Sequence, residues 1–468
     1  MKQLTKSFWL IFAFVSLLIV GCNKNESSPS GSQIDPAKAS ERVNQANQIF
    51  IPRMAMLISS QGSDTADFDM AAATSLYEEA LSYDPNNLDA HFGVALTEVL
   101  TVFADPTLVN LFESSSSTIP ASHPLNLPLS VFGKRGDLVH LSSVLRGGVF
   151  ARLSLVAAPA SRLKMYRTMR VADANRQFSY YQGVVESKLL PVLSDALAHL
   201  GRVTQNTNYV FYVTPQEMGQ TSGDSIRISL TEIYMLLAFL QYIDADASWL
   251  VAYNVDYTPT DSAAVLEAWQ LTSPFLTLRT GGAQRMKDVK SNFLGLATSI
   301  QNGIAFFRGH PGSGTIQYSP GDDPQLNSIV MAMDTLQRYL SGPTQIYGDF
   351  NDDGIYQNLT VNFANVFDNA ITNFKQKIPA YTAGVQRDGS TFDPVLTWQA
   401  NSFSSWTFPD PTFNGLFPTM ASDAQLKATF GITAADWSQQ TVVHPGQNIF
   451  SVIDLFNLSE LFLYFGGF

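Results

Sequence analysis

A single cysteine, Cys22, sits directly behind an apolar run, and this placement constrains the rest of the chain more than any other feature. Lys2 and Lys6 precede the apolar stretch Phe8 to Val20, which stops at the small residue Gly21. A membrane-crossing helix needs about 20 apolar residues, and this run falls short. Basic residues, a short apolar segment and then a small residue are the layout of an export signal that is removed, so residues 1–21 read as a signal peptide. With no second cysteine, no disulfide can close within the chain, and stability has to come from burial alone even in an oxidising compartment. At 468 residues and 45% hydrophobic, the chain can build one large core or two ordinary ones.

The residues Ile19-Val20-Gly21-Cys22 resemble the bacterial lipobox, in which signal peptidase cuts before a cysteine whose thiol carries diacylglycerol. The resemblance implies that Cys22 is the lipidated first residue of a mature lipoprotein, acylated with chains such as palmitate. Each buried methylene contributes about 0.8 kcal/mol, so two or three acyl chains hold a protein on a membrane where one would not. An ordinary signal peptide with a chance cysteine is the alternative. Residues 22–37 carry, after Cys22, the stretch NKNESSPSGSQ from Asn23 to Gln33, a polar tether too poor in apolar residues to fold. Asn23 is not the aspartate that favours inner-membrane retention in enteric-type sorting. The expected location is therefore the outer membrane, facing the periplasm or the cell surface. A net charge of -12 repels phosphate, which argues against nucleic acid as a partner.

Within residues 38–103, Ala39 to Ser60 and Met70 to Tyr83 carry apolar residues at helical spacing. Asp84-Pro85-Asn86-Asn87 ends the second segment before Leu88 to Val102 begins a third. Ala73, Tyr77, Ala80 and Pro85 fall at the small, aromatic, small and proline positions of the tetratricopeptide repeat, which this stretch resembles. Ala90, Gly93 and Ala95 follow as the small residues of the next unit. Small residues let neighbouring helices approach while the aromatic fills the gap above them. The likeness covers about one and a half repeats, and an ordinary antiparallel helix pair is the alternative.

Residues 104–468 predict a mainly helical body with two hairpin-plus-helix modules and an aromatic, irregular C-terminal part. Ala104 to Gly147 reads as a long, partly ordered connection. Gln177 to Val203 predicts a long amphipathic helix kinked at Pro191. Tyr209 to Thr214 alternates like a strand that Ser225 to Ile228 can pair with. Ser229 and Glu232 form an S-x-x-E capping box for an apolar helix from Leu230 to Tyr242, expected to be buried on nearly all sides. Gly282 to Phe307 and Pro324 to Leu340 read as helices, the latter capped by Asp323. The alternating segment Tyr356 to Val361 precedes another helix from Asn362. Phe408 to Pro418 reads as a proline-bracketed surface loop, and Phe450 to Phe465 as a helix docked into the core.

Asp349, Asn351, Asp353 and Gly354 in DFNDDG resemble the first half of an EF-hand calcium loop, with the carbonyl of Ile355 as a further oxygen. Thr360 stands where that family has its bidentate glutamate. A metal-free hairpin turn would use the same residues, so calcium and an ordinary turn both remain open. The histidines at 91, 123, 140, 199, 310 and 444 show no pair at ligand spacing, and no nucleophile elbow or phosphate loop is present. The pairs Asp244 with Asp246 and Asp322 with Asp323 read as helix punctuation before acid and base. Trp398, Phe403, Trp406, Phe408 and Phe413 read as loop anchors before sugar-stacking groups.

The expected fold is mainly α: an irregular α-solenoid, tetratricopeptide-like helical body with small β-hairpin insertions. The expected function is non-enzymatic binding or scaffolding, with a protein or peptide partner held on a concave helical surface. The alternative is a ligand-capturing outer-membrane lipoprotein, similar in plan to the helical glycan-binding lipoproteins that work with transporters.

Overall fold

A computed structural model describes residues 34–58, 70–103, 105, 107–108, 178–217, 225–254, 274, 277–314, 318–348, 354–377, 386–387, 396–397 and 408–429. The expectations for Cys22, the connection at 104–147 and the helix at 450–465 lie outside them, apart from the few residues noted near 105–108. The described chain is mainly helical with three two-stranded antiparallel sheets.

Helix α1 spans Pro36–Ile58, α2 Ala71–Tyr83 and α3 Leu88–Phe103. Each packs on the next, and α1 also touches α3. The turn between α2 and α3 is held by its own side chains: Asp84 accepts from the Asn86 N–H at 3.0 Å, and Asn87 accepts from the Ala90 N–H at 2.9 Å. The first bond closes the turn, and the second satisfies a donor that the start of α3 leaves open, as Asp and Asn characteristically do.

Helix α4, Phe178–Val184, runs through a π-helical turn, Val185–Leu189, into α5, Leu190–Val203. The expected kink at Pro191 takes this form. Proline lacks the N–H that would close the preceding turn and its ring crowds that turn, and widening to i→i+5 hydrogen bonds relieves both. The widened turn keeps the segment continuous, and α5 packs on α3.

Strands β1, Val210–Val213, and β2, Ile226–Ser229, pair antiparallel, with Val210 opposite Ser229. Ser229 also caps the following helix: its Oγ accepts from the Thr231 N–H, and its own N–H donates to Glu232 Oε2 at 2.9 Å. That helix, α6, runs from Leu230 to Ala252, ten residues beyond the expected end at Tyr242. Asp244 does not break it, because Ser248 Oγ one turn on donates to its carboxylate at 3.0 Å. By length and composition α6 could cross a membrane, but more than half of its most apolar window is buried within the protein. It is the wall shared by two cores, one built with α1 to α5 and one with the elements that follow.

Helix α7, Gly282–Gly309, packs along α6. Gly295, Ser299 and Gly303 recur every four residues on the contact face. A Cβ at Gly303 would meet Met235 Cε at 2.6 Å, and one at Gly295 would meet Gln241 Nε2 at 2.6 Å. Ser299 Oγ donates to Gln241 Oε1 at 2.9 Å. Such small-residue ridges let two helices close to short axial distance.

Helix α8, Asp323–Ser341, follows a 3-10 turn at Pro320–Asp322. Asp323 is not its cap. Ser319 and Asp322 form a capping box around the 3-10 turn, leaving Asp323 to accept from Arg308 Nε at 2.8 Å and from the Tyr318 hydroxyl at 2.9 Å. Strands β3, Thr344–Gly348, and β4, Gln357–Val361, pair with Tyr347 opposite Asn358, and the short helix α9, Phe363–Asp368, follows. Strands β5, Gln386–Arg387, and β6, Leu396–Thr397, make the third sheet, and α10 spans Asp423–Thr429.

The loop at 408–420 corrects the expectation of a strap on the surface. Phe413, Leu416, Phe417 and Met420 are buried in the second core. Phe413, Asn414 and Gly415 all have positive φ, at 50°, 58° and 81°. Asp410 fixes this left-handed turn by accepting from the Thr412 and Asn414 N–H groups. Burial works against ionising Asp410, yet hydrogen bonds from Lys377, Thr412 and Asn414 hold its carboxyl down at about 2.

Candidate functional site

Two surfaces carry chemistry. The first lies across the opening helices. Tyr77 of α2 is fully buried, its hydroxyl donates to Asn47 Oδ1 of α1 at 2.5 Å, and its ring meets Phe50 edge to face. Gly93 of α3 lies under that ring, where a Cβ would sit 2.4 Å from ring carbons. Ala73, Ala80, Ala90 and Ala95 are buried as well. The small and aromatic positions quoted for the repeat resemblance therefore make the inter-helix contacts that their sizes allow.

Helix α3 also receives the first hairpin and α5. Phe92 packs on Phe211 of β1, and Tyr209 donates its hydroxyl to Asp89 Oδ1 at 2.9 Å. Burial raises the Asp89 carboxyl above its usual range and the bond from Tyr209 opposes that rise. His91 and His199, with no sequence signal linking them, meet here with Nδ1 atoms 2.7 Å apart. His91 Nε2 lies 3.0 Å from the Pro85 carbonyl, which can only accept, so Nε2 carries the proton. That assigns His91 Nδ1 as acceptor and His199 Nδ1–H as donor. Burial lowers both imidazoles: for His91 the bond to the Pro85 carbonyl opposes it, Arg202 adds a smaller downward push and Asp84 a smaller upward one, and for His199 the neighbouring His91 adds to the lowering against Asp195.

Two turns along α3, Glu98 is half-buried, and its Oε2 has no hydrogen-bond partner among the described residues. Burial, then the charges of Asp195 on α5 and Glu78 on α2, push its carboxyl up to about 7. Asp195 and Glu78 thus bear on Glu98 from the two helices packed against α3.

The second surface is the outer face of the β3–β4 hairpin. Ile346, Leu359 and Val361 point into the second core, so the alternate positions face out. These are Gln345, Tyr347, Asn358 and Thr360, with Tyr356 extending the same register before β4. Tyr347 and Tyr356 have ring centroids 5.6 Å apart and an interplanar angle of 33°.

Of the calcium-loop residues, Asp349, Asn351 and Asp353 lie outside the described residues. Gly354 has φ of 80°, the left-handed conformation a sharp bend needs, and Ile355 is exposed. Among the described residues no three His, Cys, Asp or Glu side chains converge on a possible metal position. His310 stacks on Phe306, its own helical neighbour, while His123, His140 and His444 fall outside. Asp244, raised by burial, sits within α6 and not at its end. Phe408 packs against the second core and Phe413 lies inside it, as anchors; Trp398, Phe403 and Trp406 lie outside the described residues. Sequence reasoning missed the histidine pair and the paired tyrosines. The first joins residues 108 positions apart, and the second becomes visible only once β3 supplies the register.

Comparison with known protein families, with characterised proteins and with solved structures yields no match for this chain.

Proposed function

We propose that the chain is a non-enzymatic binding protein of the cell envelope, held on a membrane by lipid at Cys22 and engaging a protein or peptide through its helical surface. The observation that carries this reading is the order of packing. Helix α1 lies on α2, α2 on α3, α3 on α5, α5 on α6, α6 on α7 and α7 on α8. Sequential packing of this kind among the described helices supports a solenoid-like reading, in which an extended face is built from several helices. The tetratricopeptide-like contact of Tyr77 over Gly93 supports the same reading at its entrance. Glu78, Glu98 and Asp195 stand on that face, so a cationic partner segment suits it.

Site-specific photocrosslinkers at Glu78 and Asp195, compared in cells with one at the exposed Met331 of α8, test this reading. The expected result is one reproducible adduct at the first two positions and none at the third. Equal labelling at all three, or no adduct, would sink it. For the anchor, Cys22→Ser is expected to move the protein from membrane to soluble fractions. A mature form with an unmodified sulfur would remove that part.

A second reading, capture of a ligand in company with a transporter, draws support from one observation: the exposed tyrosine pair on the β3–β4 hairpin.

A further inference from the structure

Most large apolar side chains in the described residues are covered, and seven are exposed. Three of these seven lie on one hairpin: Tyr347, Ile355 and Tyr356, exposed by 70%, 67% and 60%. Scattered exposed apolar residues are ordinary, but a local group of them marks a surface that meets something. The two phenol rings are tilted by only 33° at 5.6 Å, so they form one shallow aromatic floor instead of an edge-to-face pair that would hide one ring.

The groups sharing this face narrow the ligand. Gln345, Asn358 and Thr360 carry amides and a hydroxyl that both donate and accept, and none of the described residues on this face carries a charge. Of the residues that join the two strands, 349–353 read DFNDD, three acids and no cation. A phosphate-bearing ligand would find no cation here and a net negative protein around it. A lipid would leave the amides without partners. A pyranose has an apolar C–H face that lies over an electron-rich ring, and a rim of hydroxyls that amides can bond. Two rings side by side offer floors to successive sugars of one chain.

We propose that the outer face of the β3–β4 hairpin, floored by Tyr347 and Tyr356 and edged by Gln345 and Asn358, binds a neutral oligosaccharide. The inference rests on the ligand-capture reading and supplies its ligand class and residues. It is independent of the helical surface.

Affinity electrophoresis of the full chain in gels carrying laminarin, hydroxyethyl cellulose, galactomannan or dextran tests it, with anionic polygalacturonate as charge control. At least one neutral polymer should retard the protein, and Tyr347→Ala and Tyr356→Ala should each weaken that retardation at least tenfold. Tyr347→Phe, which keeps the stacking floor, should stay within about threefold of the parent. Both tyrosines are solvent-facing, so circular dichroism should find the variants folded. Retardation by a neutral polymer that survives both alanine variants would overturn the platform while leaving ligand capture standing. No retardation in any neutral gel, or equal retardation in polygalacturonate, would overturn both. A protein crosslinked to this face that blocks no sugar binding would also count against it.

Discussion

The His91–His199 contact predicts an acid-driven loosening of α3 from α5. As arranged, His199 Nδ1–H donates to His91 Nδ1 at 2.7 Å while the Pro85 carbonyl holds the opposite nitrogen of His91. Protonating His91 sets two N–H groups face to face, so the contact exists only when that ring is neutral. Burial depresses both rings from the ordinary value of 6.5. A group whose folded value is depressed contributes stability above its unfolded value and loses it as pH falls through the folded one. The loss therefore begins near pH 6.5 and runs on below it. Two protons set a ceiling of about 2.7 kcal/mol per pH unit. Both rings keep half of their surroundings in solvent, which screens the effect, and about 1 kcal/mol per unit is expected. Glu98 works in the opposite sense. Its carboxyl, raised to about 7 by burial and by Asp195 and Glu78, holds a proton in the folded state that the unfolded chain releases between pH 4.5 and 7. Stability from that group falls as pH rises through the window, so it masks part of the histidine effect in the parent protein. Urea unfolding followed by circular dichroism from pH 5 to 8 separates the two. Glu98→Gln should steepen the acid loss, and the double variant His91→Gln with His199→Gln should flatten or reverse it. Parallel pH profiles for the parent and both variants would refute the reasoning.

Three further perturbations bear on the packing and the loop. Gly93→Ala drives a methyl into the Tyr77 ring, which is fully buried and tethered to Asn47, so a loss of about 1–3 kcal/mol is expected in urea unfolding, whereas Gly201→Ala, with open space around it, should change little. Gln182→Leu removes a buried amide that donates to the Leu250 and Tyr253 carbonyls, both at 2.7 Å; each carbonyl left without a partner costs about 1–3 kcal/mol, and amide exchange should rise selectively at the end of α6. If the loop at Asp349 takes calcium, millimolar calcium should raise the melting temperature of the parent and not of Asp349→Ala. Identical melting of both proteins in calcium and in chelator would remove the site.

Much of the helical body was legible because its signals act within one turn of chain. Ser229 and Glu232 are three residues apart and announce a helix start without reference to anything distant. The repeat positions Ala73, Tyr77 and Gly93 likewise read as small and aromatic at fixed spacing. Local reading failed where two signals overlap. Asp322 and Asp323 compete for one cap, and the contest is decided by Arg308 and Tyr318 drawing Asp323 away. The aspartates after Tyr242 signal a helix end, and Ser248 bonding to Asp244 one turn on lets α6 run through them. Strand β3 follows directly on the end of α8 in five residues too few to show alternation by themselves. The Gly295, Ser299 and Gly303 spacing was a signal for the α6–α7 contact that the helical pattern already contained.

The amino-acid order alone determined most of the helices and the Ser229 helix start, and with a single cysteine it excluded a disulfide within the given chain. Tertiary structure decided which faces meet: His91 with His199 across two helices, Tyr209 with Asp89, and two tyrosines brought side by side by strand register. The physical reason is reach. Caps, turns and amphipathic periods are settled by bonds within about four residues. A meeting between distant side chains is chosen by how whole helices and strands fit around two cores, which no short stretch of sequence encodes.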